Sequence, residues 1–180
     1  VLYTGDGSTQ AVTGIGFQPD LVWLKERSST SGHGLFDAVR GVQKVLRSSD
    51  YSAEETQSNY LTVFGTDGFT VGGDGSVNQD TITYVAWNWK AGNETLGTGD
   101  FTQGAIASTC SRNVDAGFSI VSYTGNNVAG ATIGHGLSKA PEMIIVKSRS
   151  AAGEPWRVYH SGMASDAETD YMNLNTTAAA

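Results

Sequence analysis

The sequence predicts an all-β protein made of antiparallel strands, and three observations carry that prediction. Glycine is abundant, at 23 of 180 residues, while charged residues reach only 16%, which is the profile of a turn-rich sheet protein and not of a helical bundle. Apolar residues fall in short runs bounded by Gly, Pro, Asp and Ser, without a sustained period of 3.6. One strand motif also occurs twice. Gly16-Phe17-Gln18-Pro19-Asp20-Leu21-Val22-Trp23-Leu24-Lys25-Glu26-Arg27-Ser28 returns as Gly136-Leu137-Ser138-Lys139-Ala140-Pro141-Glu142-Met143-Ile144-Ile145-Val146-Lys147-Ser148-Arg149-Ser150. Tyr3-Thr4-Gly5-Asp6 is echoed by Tyr123-Thr124-Gly125-Asn126; the offsets are 123 − 3 = 120 for the tyrosines and 141 − 19 = 122 for the prolines.

A fixed offset of this kind marks repeated supersecondary units. We read two tandem related units, residues 1–92 and 105–180, joined by a linker over 93–104 of Gly/Thr/Asn composition. Each unit is expected to be incomplete. The first lacks a partner for the strand that opens the second, and the second stops before repeating the later strands of the first. Exposed sheet edges are a hazard, so further chain or a neighbouring subunit is expected to cover them.

Taken in order, residues 3–8 read as a strand entering an Asp6-Gly7 hairpin turn, with 10–15 as the return strand. Pro19 and Pro141 cannot donate to a ladder, so each sits at the mouth of its strand. The four apolar residues that follow, Leu21 to Leu24 and Met143 to Val146, suit a central strand covered on both faces. Lys25 and Arg27, like Lys147 and Arg149, share one side of an extended chain. They read as a strand end emerging into water, in preference to an anion site.

Residues 35–46 carry some helical spacing, but their counterparts at 156–160 and 171–174 alternate, so two short strands with a loop are expected. Ser52-Ala53-Glu54-Glu55 has the capping-box pattern and starts at most one helical turn. Residues 60–64 and 69–71 are strands joined through Asp67-Gly68, and 72–76 is a loop. The longest strand is 81–90, in which Thr83, Val85, Trp87 and Trp89 share one face. A tryptophan pair of this sort either fills a sandwich core or stacks on sugar; Val85 and Thr83 beside it favour the core. Residues 105–111 open the second unit, and Cys110 within them reads as a buried, inert thiol.

A net charge of −7 and a pI near 4.8 argue against nucleic acid, which needs a basic face. No apolar run approaches the roughly 20 residues of a membrane-spanning helix. A single cysteine excludes an internal disulfide and a multi-cysteine zinc site. His33, His135 and His160 lack metal-ligand spacing. The Asp67, Asp74 and Asp80 loops hold oxygens of the kind Ca²⁺ takes, but Asp-Gly more simply makes turns. No nucleophile elbow, dinucleotide fingerprint or phosphate loop occurs. Glycoside hydrolysis needs two carboxylates flanking the scissile bond, and Glu54 and Glu55 are adjacent and point apart if extended. No catalytic, cofactor-binding or metal residue is therefore assigned.

The strings Pro-Asp-Leu-Val-Trp-Leu-Lys-Glu-Arg-Ser (19–28), Leu-Phe-Asp-Ala-Val-Arg-Gly (35–41), Asp-Gly-Phe-Thr-Val-Gly (67–72) and Tyr-Val-Ala-Trp-Asn-Trp-Lys-Ala-Gly (84–92) resemble a tandem domain of bacteriophage virion proteins. Such domains occur in tail-fibre-like structural proteins of marine phages, including those of cyanobacteria. Ala-Gly-Phe-Ser-Ile-Val-Ser-Tyr-Thr-Gly (116–125), Gly-His-Gly-Leu (134–137) and Ala-Pro-Glu-Met-Ile-Ile-Val-Lys-Ser-Arg (140–149) are similar to the same pattern. The resemblance implies a jelly-roll β-sandwich of the concanavalin-like lectin/glucanase kind. It implies a non-enzymatic virion module of a tail fibre or spike, facing outward and contacting a host-surface glycan multivalently, with loops such as Gly72 to Gln79 expected to make the weak, repeated contacts. A purely architectural shaft, collar or capsid-decoration role is the alternative, and a polysaccharide-degrading spike a more distant one. The implied partners are other virion proteins and further copies of the chain, as a homo-oligomer expected to be a trimer, with neither nucleic acid nor membrane insertion.

Overall fold

The computed structural model describes residues 1–163 and 169–176; the remainder of the second expected unit, residues 164–168 and 177–180, lies outside the described residues. Among the described residues the regular structure is almost entirely β, and every pair of named strands is antiparallel. Its strands are β1 (Leu2–Thr4), β2 (Gln10–Val12), β3 (Leu21–Glu26), β4 (Gly34–Asp37), β5 (Lys44–Val45), β6 (Glu55–Thr56), β7 (Leu61–Gly65), β8 (Gly68–Val71) and β9 (Thr83–Trp89). They continue with β10 (Ser108–Asn113), β11 (Phe118–Tyr123), β12 (Met143–Val146), β13 (Arg157–His160) and β14 (Met172–Asn173).

Two sheets pack face to face in the N-terminal half, with strand orders β1-β9-β3-β4 and β2-β8-β7. Their facing side chains form one core: Val22, Leu24, Phe36, Tyr84 and Ala86 from the first sheet meet Val12, Leu61, Phe69 and Val71 from the second. Tyr84 is fully buried, and its hydroxyl is satisfied by donating to the Gly75 carbonyl at 2.8 Å and accepting from the Gln79 amide at 2.9 Å. Gly75 opens and Gln79 follows a helical turn, α1 (Gly75–Asn78), where a loop is expected from the sequence. Asp74 caps it, its carboxylate accepting from the Ser76 amide at 2.8 Å, as an N-cap acid does. The Ser52–Glu55 capping pattern forms no helix and runs into β6.

Several other expectations need correction. Asp6-Gly7 is not a hairpin turn, because β1 pairs with β9 while β2 pairs with β8 in the other sheet. The turn is a crossover between layers, held by buried Asn78. Its Oδ1 accepts from the Asp6 amide at 3.0 Å and its Nδ2 donates to Asp6 Oδ1 at 3.1 Å. Trp87 and Trp89 do not fill the core; the opposite face of β9, with Tyr84 and Ala86, does. Nor is either copy of the repeated strand covered on both faces. In β3, Val22 and Leu24 are buried while Leu21 and Trp23 are half-buried, and in β12 all four residues are exposed. The 35–46 region does form two short strands, with Leu35 bridging Leu46. The β7–β8 hairpin turns at Asp67-Gly68, where φ of Gly68 is 152° and a Cβ would lie 2.0 Å from the Val12 carbonyl oxygen. Only glycine fits there.

Residues 93–104, expected as a linker, are laid along β10. Leu96 and Cys110 exchange backbone hydrogen bonds of 2.7 and 2.9 Å, and Phe101 is buried. Two carboxylates tie later residues to the N-terminal sandwich. Buried Asp20 accepts from the amides of Ala91 (2.9 Å) and Asn93 (3.1 Å) and from the Ser111 hydroxyl of β10 (2.8 Å). Glu54 receives the Arg149 guanidinium in a bidentate pair, at 2.9 and 3.0 Å, and Arg40 at 3.3 Å. Burial alone would raise the Glu54 pKa, but its hydrogen bonds and charge pairing with Arg149 and Arg40 outweigh that and hold it below the usual carboxylate range.

Two measurements check this account. Leu24→Ala, deep in the core, is expected to cost about 2–5 kcal/mol in chemical denaturation, and Val146→Ala at the matching place in β12 about 0.5 kcal/mol; equal costs would refute the burial difference. Because the folded pKa of Glu54 lies below its ordinary 4.5, its contribution is present above pH 4.5 and is lost as pH falls through the folded value. Glu54→Gln is therefore expected to cost about 1–2 kcal/mol at neutral pH, with the difference from the parent shrinking to nothing in acid.

Candidate functional site

Strict alternation along β3 and β9 sends Val22, Leu24, Tyr84 and Ala86 inward, so their neighbours must face outward. The register places Trp23 opposite Trp87 and Leu21 opposite Trp89. The Trp23 and Trp87 rings meet edge to face, with centroids 6.0 Å apart. Trp89 stacks on Phe118 of β11 at 6.4 Å. Trp87 remains 46% exposed and Trp89 36%, which leaves a row of indole surface open on the outer side of the sheet.

A cavity of about 330 Å³ opens beside this row, lined by Trp23, His33, Ser48, Ser49, Leu174 and Asn175. The loop after β3 brings His33 back over Trp23, whose Nε1 donates to His33 Nδ1 at 2.9 Å. Accepting at Nδ1 requires that nitrogen to be unprotonated. Burial, and then the charge of Lys25, lower the His33 pKa, so the imidazole stays neutral and its Nε2 carries the proton. Trp156 is buried in a cluster with Leu35, Leu46 and Trp23, with its Nε1 donating to the Arg47 carbonyl at 2.8 Å. That contact carries 174–175 to the rim. Asn175 Oδ1 accepts from the Trp156 amide at 3.1 Å, and its buried Nδ2 has no partner among the described residues.

The chemistry on offer is an aromatic wall, two serine hydroxyls, a neutral imidazole and an amide. Such a set is chemically suited to a molecule that has one apolar face and several hydroxyls. It holds no carboxylate pair. Glu54 and Glu55 are taken up by Arg149, Arg40 and Arg47, and both are held below the usual carboxylate range: Glu55 by Arg47 and Gln57, and Glu54 against its burial by Arg149 and Arg40. Neither carries a proton to give near neutral pH.

The other residues singled out in the sequence have local duties. Asp67 accepts from the amides of Gly14 (3.1 Å) and Gly16 (2.6 Å), and Asp74 caps α1. His135 and His160 accept from nearby amides through Nδ1, at 3.1 and 2.9 Å. Lys25 and Lys147 each donate to the next residue's carbonyl, Glu26 and Ser148. Cys110 is fully buried, and burial pushes its thiol pKa up, as expected of an inert core cysteine. A second cleft of about 340 Å³ lies by Arg112 and His135, but the Arg112 guanidinium there is spent on the Gly136 carbonyl at 2.9 Å. Sequence reasoning weighs Trp87 and Trp89 as a sugar-stacking pair but places them in the core, and it gives Trp23 and His33 no binding role. Alternation paired the two tryptophans correctly, and only the position of the opposing sheet reveals which face is open.

Because the folded His33 pKa is lowered from 6.5, the Trp23–His33 bond contributes stability above that pH and loses it as pH falls through the lower folded value. A ring-proton titration of His33 is expected to have its midpoint below 6.5, with tryptophan fluorescence changing in the same window. In His33→Phe that fluorescence change should vanish.

No curated protein and no solved structure matches the chain. One family model matches residues 1–180, the full length, and its description is a domain of unknown function (DUF7483). The chain, with its antiparallel sheets and its outward row of tryptophans, belongs to that family.

Proposed function

We propose that the chain is a non-catalytic structural and adhesive module of a bacteriophage particle, binding host-surface carbohydrate through the Trp23–Trp87–Trp89 face. One observation carries the binding reading: two neighbouring tryptophans stand 46% and 36% exposed on a rigid sheet, beside a cavity rimmed by hydroxyl and amide groups. Indole faces suit the apolar side of a pyranose ring, and Ser48, Ser49 and Asn175 suit its hydroxyls. The virion setting rests on the resemblance of the repeated motifs to phage structural proteins, and so does the jelly-roll, concanavalin-like form of the sandwich.

In this reading each site is shallow and its affinity modest. Multivalency supplies the rest, as weak contacts repeated over copies of the chain raise the effective affinity without any new contact. Other virion proteins and further copies of this chain are the partners in that arrangement. The acidic chain is soluble display for the aromatic face and repels anionic polymers.

The test is retention of the chain, multimerised on beads, on an array of bacterial surface polysaccharides. Retention of one glycan class is expected, and Trp87→Ala and Trp89→Ala are each expected to weaken it about tenfold while melting temperature stays within a few degrees. Retention indifferent to both substitutions would remove the face from the reading, and an array with no retention at all would leave the architectural role. Release of reducing ends from bound polysaccharide would replace adhesion with degradation.

A further inference from the structure

The outer face of β3 and β9 carries a short chain of rings. Trp87 meets Trp23 edge to face, and Trp23 meets His33 edge to face with centroids 5.8 Å apart. Trp87 is nearly half exposed, so few neighbours orient its ring, and Trp23 is one of them. Trp23 in turn has a polar anchor, the bond from its Nε1 to His33 Nδ1 at 2.9 Å. An indole owns a single N–H, and this bond uses it. Aromatic pairs are favourable only in particular offsets, so a shift of Trp23 passes to Trp87.

The loop that presents His33 is fastened without help from the imidazole. The Ser31 hydroxyl donates to Glu26 Oε2 at 2.6 Å, and the His33 amide donates to Ser49 Oγ at 3.4 Å. The backbone is thus held by one set of contacts and the Trp23 bond by another. Losing the second leaves the first in place.

We propose that His33 is the positioning residue of the carbohydrate-binding face, holding Trp23 and through it Trp87 in place only while its ring is neutral, so that the face releases its ligand in acid. The release rests on the carbohydrate reading; the chain of rings does not. An imidazolium carries a proton on both nitrogens. Its Nδ1–H then meets the indole N–H, donor against donor, and the bond is lost. Because the folded pKa of His33 lies below 6.5, the face is intact above that pH and is released as pH falls through the lower folded value.

The charged groups around the ring do not titrate in that window. They are Lys25 from β3, Glu26 through Ser31, and Arg47 after β5, whose guanidinium lies 3.9 Å from where a Cβ on Gly32 would stand, with Glu55 paired to it. Glu26 and Glu55 are held below the usual carboxylate range and Arg47 above its ordinary value, and lysines ionise far above the imidazole range. Trp87 of β9 and Leu174 and Asn175 at the cavity bring no titratable group. A neutral glycan has none either, so acid-sensitive retention points to His33.

The test follows the whole chain from about pH 8 to about pH 4.5, a span that brackets the imidazole range. It reads retention on the neutral polysaccharides of the array and the indole N–H resonances of Trp23 and Trp87. In the parent, retention is expected to fall about tenfold, the worth of one hydrogen bond, and both resonances to shift with the midpoint of the His33 ring protons. His33→Asn, whose Oδ1 replaces Nδ1 as an acceptor that does not titrate, is expected to keep retention across the span. His33→Phe, with no acceptor, is expected to be weak throughout. A Trp87 resonance indifferent to the His33 titration would overturn the proposal even if neither variant folded. So would retention in the parent that ignores pH yet is lost in Trp87→Ala, or the same acid loss in His33→Asn. An array with no retention at any pH overturns the carbohydrate reading and the release with it, and the parent's resonances then decide the positioning role alone.

Discussion

The pleat of two adjacent strands is the constraint on which the rest of the molecule depends. Side chains in a strand alternate between two sides, so a single decision about which side faces the opposing sheet disposes of every residue in β3 and β9 at once. Here the decision buries Val22, Leu24, Tyr84 and Ala86 against Phe69, Leu61 and Val71. Trp23, Trp87 and Trp89 then have nowhere to go but outward. Tyr84 helps explain why the choice falls this way. It reaches α1 with its hydroxyl, making two hydrogen bonds that an indole in its place would not reproduce. The aromatic face is therefore a by-product of a well-satisfied core, held rigid by the strands that carry it.

The later residues are fastened to this sandwich by polar clamps more than by shared apolar burial. Asp20, at the mouth of β3, gathers two backbone amides beyond β9 and a hydroxyl on β10. A buried carboxylate is tolerated only with such partners, and the three donors come from segments distant in sequence. Glu54 joins Arg40 to Arg149 in the same manner. Apolar contacts join the two as well: Trp156 is buried against Leu35 and Leu46, and Trp89 stacks on Phe118. Carbohydrate binding, if located there, would use residues from both ends of the chain, Trp23 and His33 with Leu174 and Asn175.

Much of this was legible in the residues. Proline at a strand mouth, the Asp67-Gly68 hairpin and the alternating run of β9 all lie where turn chemistry and period two place them. The short strands of 35–46 were recovered by comparing the two copies of the repeat, against a helical spacing that was accidental. Cys110 lies buried among small residues, as its neighbours implied. Other features were not legible. Asp6-Gly7 has the local signature of a hairpin, yet Asn78, 72 residues away, pins it as a crossing between sheets. His33 had no sequence signal at all, since its role depends on a loop folding back over Trp23.

What the sequence determined by itself is local: antiparallel strands, their periods, their turns, and a repeat that implies two similar ladders. Those are set by steric and hydrogen-bonding preferences within a few residues of chain. Tertiary structure alone decided which face of each strand is covered, because cover comes from a sheet that is distant in sequence. That is why Val22 and Ile144, at matching places in one motif, end fully buried and 43% exposed, and why the tryptophans of β9 lie at the surface.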